Sequence, residues 1–495
     1  MNVNQGSLTG LVLKEPILFE LKNKGAIGID LPPMDVNLVD PKESLEEELL
    51  RGDVESFPEL SEPEVVRHFS RLSTWNYSLD GGFYPLGSCT MKYNPRCNEV
   101  AASLEGFSNI HPYLPDQSVQ GMLELLYDLQ HDLAEMAGLE AISLHPAAGS
   151  HGELLGLMLI QAYYESRGEH DRKKILIPDS AHGTNPSSAA ICKLEPVELV
   201  SGKDGLIDME ELDKHMDESV AGIMITNPNT CGLFEEKIKE ISDLVHSRGG
   251  LVYMDGANMN ALIGKTKPGL MGVDVLHFNT HKTFSTPHGG GGPGAGPIAV
   301  HSKLEKFLPT PILVKNNEQY GWDYDRPESI GKIRSFHGNI GVLIRAYCYI
   351  KTMGDLGLEE MTETAVVNAN YLKKKLEAVY DTPFNDRPCM HEVLFSDRNL
   401  AEKGLSTMDI AKGLIDRGFH PPTVYFPLIV HGAMLVEPTE TESKETLDRF
   451  IQTMIELANE SHDKLSQAPK SSYVGRVNEV QAARKPIVKW EQPED

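Results

Sequence analysis

The chain has 495 residues, enough at roughly 150 residues per domain for two to four domains with a large buried core. Its 46 Lys and Arg stand against 72 Asp and Glu, a formal charge of −26, which argues against a sequence-independent nucleic-acid binder and against a polybasic membrane-surface protein. Hydrophobic residues at 40%, charged residues at 24%, 43 Gly and 31 Pro describe an ordinary globular composition.

Met1 to Pro16 lacks a basic flank, an apolar run and a small-residue cleavage site, and no stretch approaches about 18 consecutive apolar residues. Neither a signal peptide nor a membrane span is expected. Six cysteines (Cys89, Cys97, Cys192, Cys231, Cys348, Cys389) form no CxxC pair, so a disulfide framework or zinc ribbon is not indicated, and a cytoplasmic, reducing location fits.

Residues 1–104 are rich in Pro, Glu and Asn, with a short helical candidate at Ser44 to Leu50, and read as an extended arm. A large domain is expected over 105–345. It opens with Met122, Leu125, Leu126, Leu129, Leu133 and Met136 at helical spacing before Gly138, and a second helix is expected from Glu153 to Arg167, ending at Gly168. Strand candidates then alternate with helices such as Glu235 to Arg248. They run Lys174 to Ile177, Pro196 to Val200, Ala221 to Thr226, Leu251 to Met254, Val275 to Phe278 and Pro297 to His301. Short β-branched runs between helices predict a mostly parallel sheet covered on both faces, an α/β class. A smaller α+β domain is expected over 346–467, with helices Val342 to Met353 and Leu358 to Tyr380 at its start and strands near Glu392 to Phe395 and Ala433 to Val436. Residues 468–495 read as a polar tail, wrapped on the surface or docked to a partner.

The segment His277 to Pro297, HFNTHKTFSTPHGGGGPGAGP, places a lysine after a strand and before a glycine-rich loop. His277 and His281 have the spacing of a zinc helix, but Phe278 stands where the glutamate of HExxH belongs and the glycines would end a helix. A nucleotide P-loop needs its lysine after the glycines, whereas Lys282 precedes them. A solvated loop lysine beside a surface turn is the plain alternative.

Asp255 distinguishes these readings. It ends the strand Leu251 to Met254, is followed by Gly256 and Ala257, and precedes Lys282 by 27 positions. A strand-end aspartate with a strand-end lysine is the arrangement of a pyridoxal phosphate (PLP) enzyme: the lysine supplies an amine for a Schiff base, and the aspartate keeps the pyridine nitrogen protonated so that the ring accepts electrons. PAAGSHGE (Pro146 to Glu153) precedes a helix, so amides near Gly149 and Ser150, with His151, could hold a phosphate; an ordinary N-capping turn is the alternative. In PDSAHGTNPSS, His182 stands where an imidazole could stack on the ring, although a lone loop histidine is often only structural. Thr226, at the end of another strand, would line the same crevice beyond the strands' carboxyl ends. Ala257, Asn279 and His281 complete the candidate cofactor contacts, and Lys282, Asp255 and His182 are the candidate catalytic residues.

YPLGSCTMKYNP (Tyr84 to Pro95), IHPYLPDQSVQG (Ile110 to Gly121), SAHGTNPSS (Ser180 to Ser188), ITNPNTCGLFE (Ile225 to Glu235), DGANMNA (Asp255 to Ala261), HKTFSTPHGGGGPG (His281 to Gly294), FHPPTVYFPLIV (Phe419 to Val430) and EPTETESKE (Glu437 to Glu445) resemble glycine decarboxylase, the P-protein of the glycine cleavage system, across most of the chain. The resemblance implies the aminotransferase-like PLP fold type I, with Lys282 as the Schiff-base lysine. It implies decarboxylation of glycine with transfer of the aminomethyl group to the lipoyl disulfide of a carrier protein. One set of motifs, lysine included, resembles the cofactor-bearing subunit 2 of the two-subunit form, which works with a homologous subunit 1 lacking the lysine, two copies of each. PAAGSHGE departs from the PNSGAQGE of single-chain forms, which leaves individual phosphate ligands open. Arg334 and Arg345, near the expected domain junction, are candidates for clamping the glycine carboxylate. A PLP decarboxylase without a lipoyl partner and a non-catalytic scaffold subunit are the alternative readings.

Overall fold

The computed structural model describes residues 15–21, 25–52, 57–288 and 294–491. The four consecutive glycines of the candidate loop, with Pro293, lie outside the described residues, as does most of the segment weighed as a leader. The chain forms two compact units, residues 1–78 with 469–495, and residues 79–468.

The larger unit is built on a seven-stranded sheet. Its strands are β1 (Ala141–Ser143), β2 (Lys174–Pro178), β3 (Glu195–Leu199), β4 (Val220–Thr226), β5 (Leu251–Gly256), β6 (Val275–Phe278) and β7 (Ile298–Val300), in the order β1-β7-β6-β5-β4-β2-β3. All neighbours pair in parallel except β7, which runs antiparallel to β6 and β1. β4, β5 and β6 are buried along their whole length, as expected of strands covered on both faces. The six predicted strands are all present; β1 is a seventh, three residues long and too short for a periodic signal.

Helix α1 (Gln120–Ala137) carries the predicted apolar stripe and ends on Gly138 at φ 66°, the left-handed conformation of a helix C-terminal glycine. Helix α2 spans Gly149–Ser166, so it begins four residues before the predicted start. The cause is close packing: a Cβ on Gly149 would lie 1.9 Å from Asn279 Oδ1, one on Gly152 2.9 Å from His277 Cβ, and one on Gly156 2.4 Å from the Tyr253 ring. Glycines that look like turn residues in the sequence let the first turn of α2 press onto β5 and β6. Helix α3 (Thr184–Ile191) packs on β2 and β3, and α4 (Ile238–Ser247) on β5.

A short turn, α5 (Thr280–Thr283), follows β6. Beyond a hairpin, β8 (Ile312–Asn316) and β9 (Gln319–Asp323), helix α6 (Ile340–Leu376) is broken at Gly354, with φ 61° and ψ −175°. The sequence pattern gives two helices there, and the break falls between them. The chain ends this unit with an antiparallel sheet, β10 (Val393–Ser396), β12 (Ala433–Val436) and β11 (Thr423–Val424), packed with α7 (Thr407–Ile415) and α8 (Lys444–Ala458) around a core that includes Phe395, Phe450 and Met454.

The smaller unit joins the two ends of the chain. Its helix Glu62–Ser73 turns His68 and Arg71 onto Glu15, with His68 Nδ1 2.6 Å from Glu15 Oε1. Trp75 stacks on Tyr473 at 4.2 Å and Phe19 on Trp490 at 5.4 Å.

Candidate active site

The carboxyl ends of β4, β5 and β6 present Thr226, Asp255 and Phe278 in adjacent register, with Thr226 opposite Asp255. The chain leaves β6 through Asn279 into α5, which carries Lys282. Lys282 Nζ donates to the backbone carbonyl of Ser88 at 2.8 Å, so the lysine meets a neutral acceptor and not a carboxylate.

Ser88 belongs to the loop 84–95. Ser88 and Thr90 hold positive φ (65° and 48°), unfavourable for residues with a Cβ. Two buried carboxyl groups compensate. Ser88 N donates to Glu392 Oε2 at 2.7 Å; Thr90 N donates to Glu437 Oε2 at 2.7 Å and Thr90 Oγ1 to Glu437 Oε1 at 2.5 Å. Asn94 donates to the Ser285 carbonyl at 2.9 Å, and His288 Nε2 lies 3.1 Å from the Cys89 carbonyl. The loop thereby grips the lysine segment on both sides. Burial pushes the Glu392 carboxyl well above the ordinary range and that of Glu437 to about 7.

Asp255 is buried. Its Oδ1 accepts from the Ala257 amide at 2.8 Å and lies 3.4 Å from His277 Nε2, and its Oδ2 accepts from Asn185 Nδ2 at 3.4 Å. Burial pushes this carboxyl up, but His277, Lys282, the Ala257 amide and His182 together hold it below the ordinary value. Asp255 is therefore an anion. His277 is braced by Tyr253 Oη at 2.5 Å from Nδ1 and by Asn279 Nδ2 at 3.0 Å from Nε2.

Glu153, on the first turns of α2, is buried beside Asp255. Asn185 Nδ2 donates to its Oε2 at 3.0 Å, and Thr184 Oγ1 lies 2.9 Å from its Oε1 and 2.7 Å from His182 Nδ1. Burial, then the neighbouring Asp255, pushes the Glu153 carboxyl up to about 8. Two adjacent carboxyl groups thus hold opposite charge states at neutral pH, the separation expected when one of a close pair carries the available cations. The His182 imidazole is lowered by burial and by Lys282.

At the opposite end, Gly149, Ser150 and His151 form the first turn of α2, whose amides have no partner within the helix. Arg334 is half-buried and donates to neutral oxygens, Asn339 Oδ1 at 2.9 Å and the His145 carbonyl at 3.5 Å. Burial, and then Arg334 across this turn, lower the pKa of His151. Arg345, the other candidate for an anion clamp, is already occupied: its guanidinium makes two bonds to Glu99, at 2.8 and 2.7 Å.

Orphaned polar atoms mark where a polar ligand would fit. Among the described residues Thr226 Oγ1 and His281 Nδ1 are buried without a hydrogen-bond partner. With the first turn of α2, an Arg334 bonded to neutral oxygens, an Asp255 lowered in pKa and a lysine on a neutral acceptor, the donor set matches a phosphorylated pyridine aldehyde. A metal matches it less well. The donor atoms of Glu153, Asp255 and His277 lie within 4.8 Å of one another, yet each already has a hydrogen-bond partner. His277 is on a strand and His281 on the following turn, so the zinc-helix spacing is not a helical face.

The sequence reading missed Glu153, Thr184, Asn185, His277, Ser88, Glu392 and Glu437. Glu153 and Asn185 lie inside the quoted motifs and Glu437 opens another, so position within the motif was the available signal. Glu392 lies in none of them.

A model of the glycine cleavage system P-protein matches residues 42–322, and one of the glycine dehydrogenase C-terminal domain matches residues 361–475. A probable glycine dehydrogenase (decarboxylating) subunit 2 from Caldanaerobacter subterraneus subsp. tengcongensis is 54% identical over 97% of this chain and 100% of its own. One of the same description from Listeria welshimeri is 53% identical over 96% and 98%. Among solved structures, an inhibitor-bound glycine decarboxylase (P-protein) superposes with a TM-score of 0.72 at 19% identity, over 84% of this chain and 94% of that one. A cysteine desulfurase from Thermococcus onnurineus superposes at 0.60 and 17%, over 77% and 95%. These two carry the fold.

Proposed function

Because the chain belongs to the glycine cleavage system P-protein family and is a glycine-decarboxylating enzyme subunit of the PLP type I fold, we propose that Lys282 carries PLP and that the aminomethyl group left after loss of carbon dioxide passes to the lipoyl disulfide of a carrier protein. When bound, the cofactor supplies an electron sink for the pair of electrons released with carbon dioxide. The observation that carries the proposal is the buried carboxyl group of Asp255 at the end of β5, fixed by the Ala257 amide at 2.8 Å and His277 at 3.4 Å and lowered in pKa, against its burial, by His277 and Lys282.

Each residue then has a task. Asp255 holds a proton on the pyridine nitrogen, and Ala257 fixes the carboxylate by its amide. Gly149, Ser150 and His151 hold the phosphate at the positive end of α2. Arg334, with no carboxylate to satisfy, neutralises an anion there, either the phosphate or the glycine carboxylate. His182 would face the ring. Thr226 and His281 use their unpartnered atoms on the ligand, and Asn279 supports His277 behind Asp255. The Ser88 carbonyl accepts a hydrogen bond from Lys282 Nζ while the lysine is free, holding its side chain in place.

The partner is a homologous subunit lacking the lysine, two copies of each, and the lipoylated carrier docks on the assembly. The smaller unit supports a protein partner: Ile29, Leu31 and Leu38 are 80%, 85% and 82% exposed, more apolar surface than a free chain ordinarily leaves in one segment. Among the described residues no helix is long and apolar enough to cross a membrane. Exchange of labelled carbon dioxide into glycine tests the reading. The chain alone should exchange poorly, the chain with its second subunit and lipoylated carrier well. Full exchange by the isolated chain would refute the two-subunit requirement, and exchange indifferent to the carrier would refute the lipoyl acceptor.

A further inference from the structure

His182 and Asp255 stand at the two ends of one hydrogen-bonded chain. From His182 Nδ1 it passes 2.7 Å to Thr184 Oγ1, 2.9 Å to Glu153 Oε1, across the carboxyl group to Oε2, 3.0 Å to Asn185 Nδ2 and 3.4 Å to Asp255 Oδ2. Glu153 is its midpoint and is 4% exposed. We infer that Glu153 is a positioning residue for the reaction proposed above, acting as a neutral carboxylic acid that sets, through Thr184, which nitrogen of His182 bears the proton.

Counting hydrogens along the chain decides the state. The Thr184 backbone N–H lies 3.3 Å from His182 Nδ1 and can only donate, so Nδ1 is an acceptor and the ring proton sits on Nε2. The Thr184 hydroxyl also reaches Nδ1 and, to a nitrogen that accepts, must donate. Its oxygen then turns a lone pair to Glu153 Oε1, and that contact needs a proton on the carboxyl group. Were Glu153 ionised, the hydroxyl would turn to it, Nδ1 would become the donor and the Thr184 amide would lose its acceptor. One proton on Glu153 gives every contact a hydrogen, the single Nδ1 lone pair being shared between the Thr184 hydroxyl at 2.7 Å and its amide at 3.3 Å.

The surroundings favour the same state. Asp255 and Tyr253 face Glu153 from β5, His277 from β6, Lys282 from α5, and Thr184 and Asn185 from α3. The one full cation among them also serves Asp255, which is further supported by His277 and an amide. A second anion would have burial and Asp255 against it. With Nδ1 committed as an acceptor, a neutral His182 offers an N–H from Nε2 to an anionic group in the pocket and cannot take a proton there as a base.

Nitrogen-15 NMR of histidine-labelled, cofactor-free assembly tests the assignment directly. His182 is expected as the Nε2–H tautomer at pH 7 and to convert toward Nδ1–H as the pH passes about 8. In Glu153→Gln, whose amide donates to Thr184 Oγ1 and accepts from Asn185, the conversion should disappear. In glycine–carbon dioxide exchange with bound cofactor, Glu153→Ala should lower kcat about tenfold or more with little change in KM, within the span of proton-transfer contributions. Glu153→Gln should rescue most of that loss and remove the alkaline limb. An Nδ1–H tautomer at pH 7, an alkaline conversion that persists in Glu153→Gln, or a Gln variant as impaired as the Ala variant would overturn the inference. Failure of the wild-type assembly to exchange carbon dioxide, with the tautomer as expected, would instead count against the proposed function.

Discussion

Replacing Glu437 should loosen the loop that holds Lys282 before it disturbs the rest of the large unit. Glu437 is 0% exposed, and both its oxygens are committed to Thr90, one to the amide and one to the hydroxyl. Glu437→Ala leaves two buried donors without acceptors, each costing about 1–3 kcal/mol, while the positive φ of Thr90 still has to be maintained. Part of this loss is recovered if the loop opens to water, so the net local effect is about 3 kcal/mol. At about 1.4 kcal/mol per decade that is about a hundredfold faster amide exchange over 84–95. Hydrogen exchange followed by mass spectrometry reads it peptide by peptide. Glu437→Gln, close in shape to the protonated acid that burial favours, should stay within about tenfold of wild type. A Glu437→Ala protein with the loop protected to within about threefold of wild type would refute the claim that this carboxyl group pins the loop.

Lys282→Ala should abolish the borohydride-trapped pyridoxyl label, and peptide mapping that finds the label on another lysine would displace the assignment. Asp255→Asn should retain the cofactor and lose decarboxylation by more than about tenfold, because a neutral amide cannot hold the ring nitrogen protonated; exchange within about twofold of wild type would contradict that role. Glu235, raised from 4.5 to about 7 chiefly by burial, makes the folded chain bind a proton more tightly than the unfolded one. Its contribution is complete below the unfolded value and is lost as pH rises through about 7, amounting to about 3 kcal/mol at about 1.4 kcal/mol per pH unit. Urea unfolding of Glu235→Gln should show a shallower fall of stability over that range, and an unchanged slope would exclude Glu235 as its source.

The parallel sheet was legible because each strand is a short run of β-branched and apolar residues bounded by turn residues, and because β4, β5 and β6 are buried on both faces. Lys282 and Asp255 were legible because strand ends fix where the next side chain stands. What escaped are contacts between segments far apart in the chain. Ser88 and Glu392 are 304 residues apart, Thr90 and Glu437 347, and no local pattern states that one will accept from the other. The start of α2 escaped for a different reason. Gly149 and Gly152 disfavour a helix on propensity alone, and only the approach of Asn279 and His277 shows why they lie within one. Arg345 looked free because its partner Glu99 lies 246 residues earlier.

The charge states around Lys282 follow from scarcity of cations. Four carboxyl groups, Asp255, Glu153, Glu392 and Glu437, are buried within the influence of one ammonium group, which acts to lower all four. Only Asp255 gains enough from other groups, His277 and the Ala257 amide, to be held below the ordinary carboxyl range. The other three are raised chiefly by burial, with smaller contributions from Asp255 at Glu153, from Glu437 at Glu392 and from Glu440 at Glu437. Neutralising the lysine, as any covalent use of its amine must, removes an attraction that favours ionisation of Glu153, Glu392 and Glu437, so all three shift further toward the protonated form. Asp255 loses the same attraction but keeps His277 and the amide. A site arranged in this way can take away the charge of its lysine without releasing a proton from its surrounding acids, which leaves Asp255 as the anion available to balance a protonated ring.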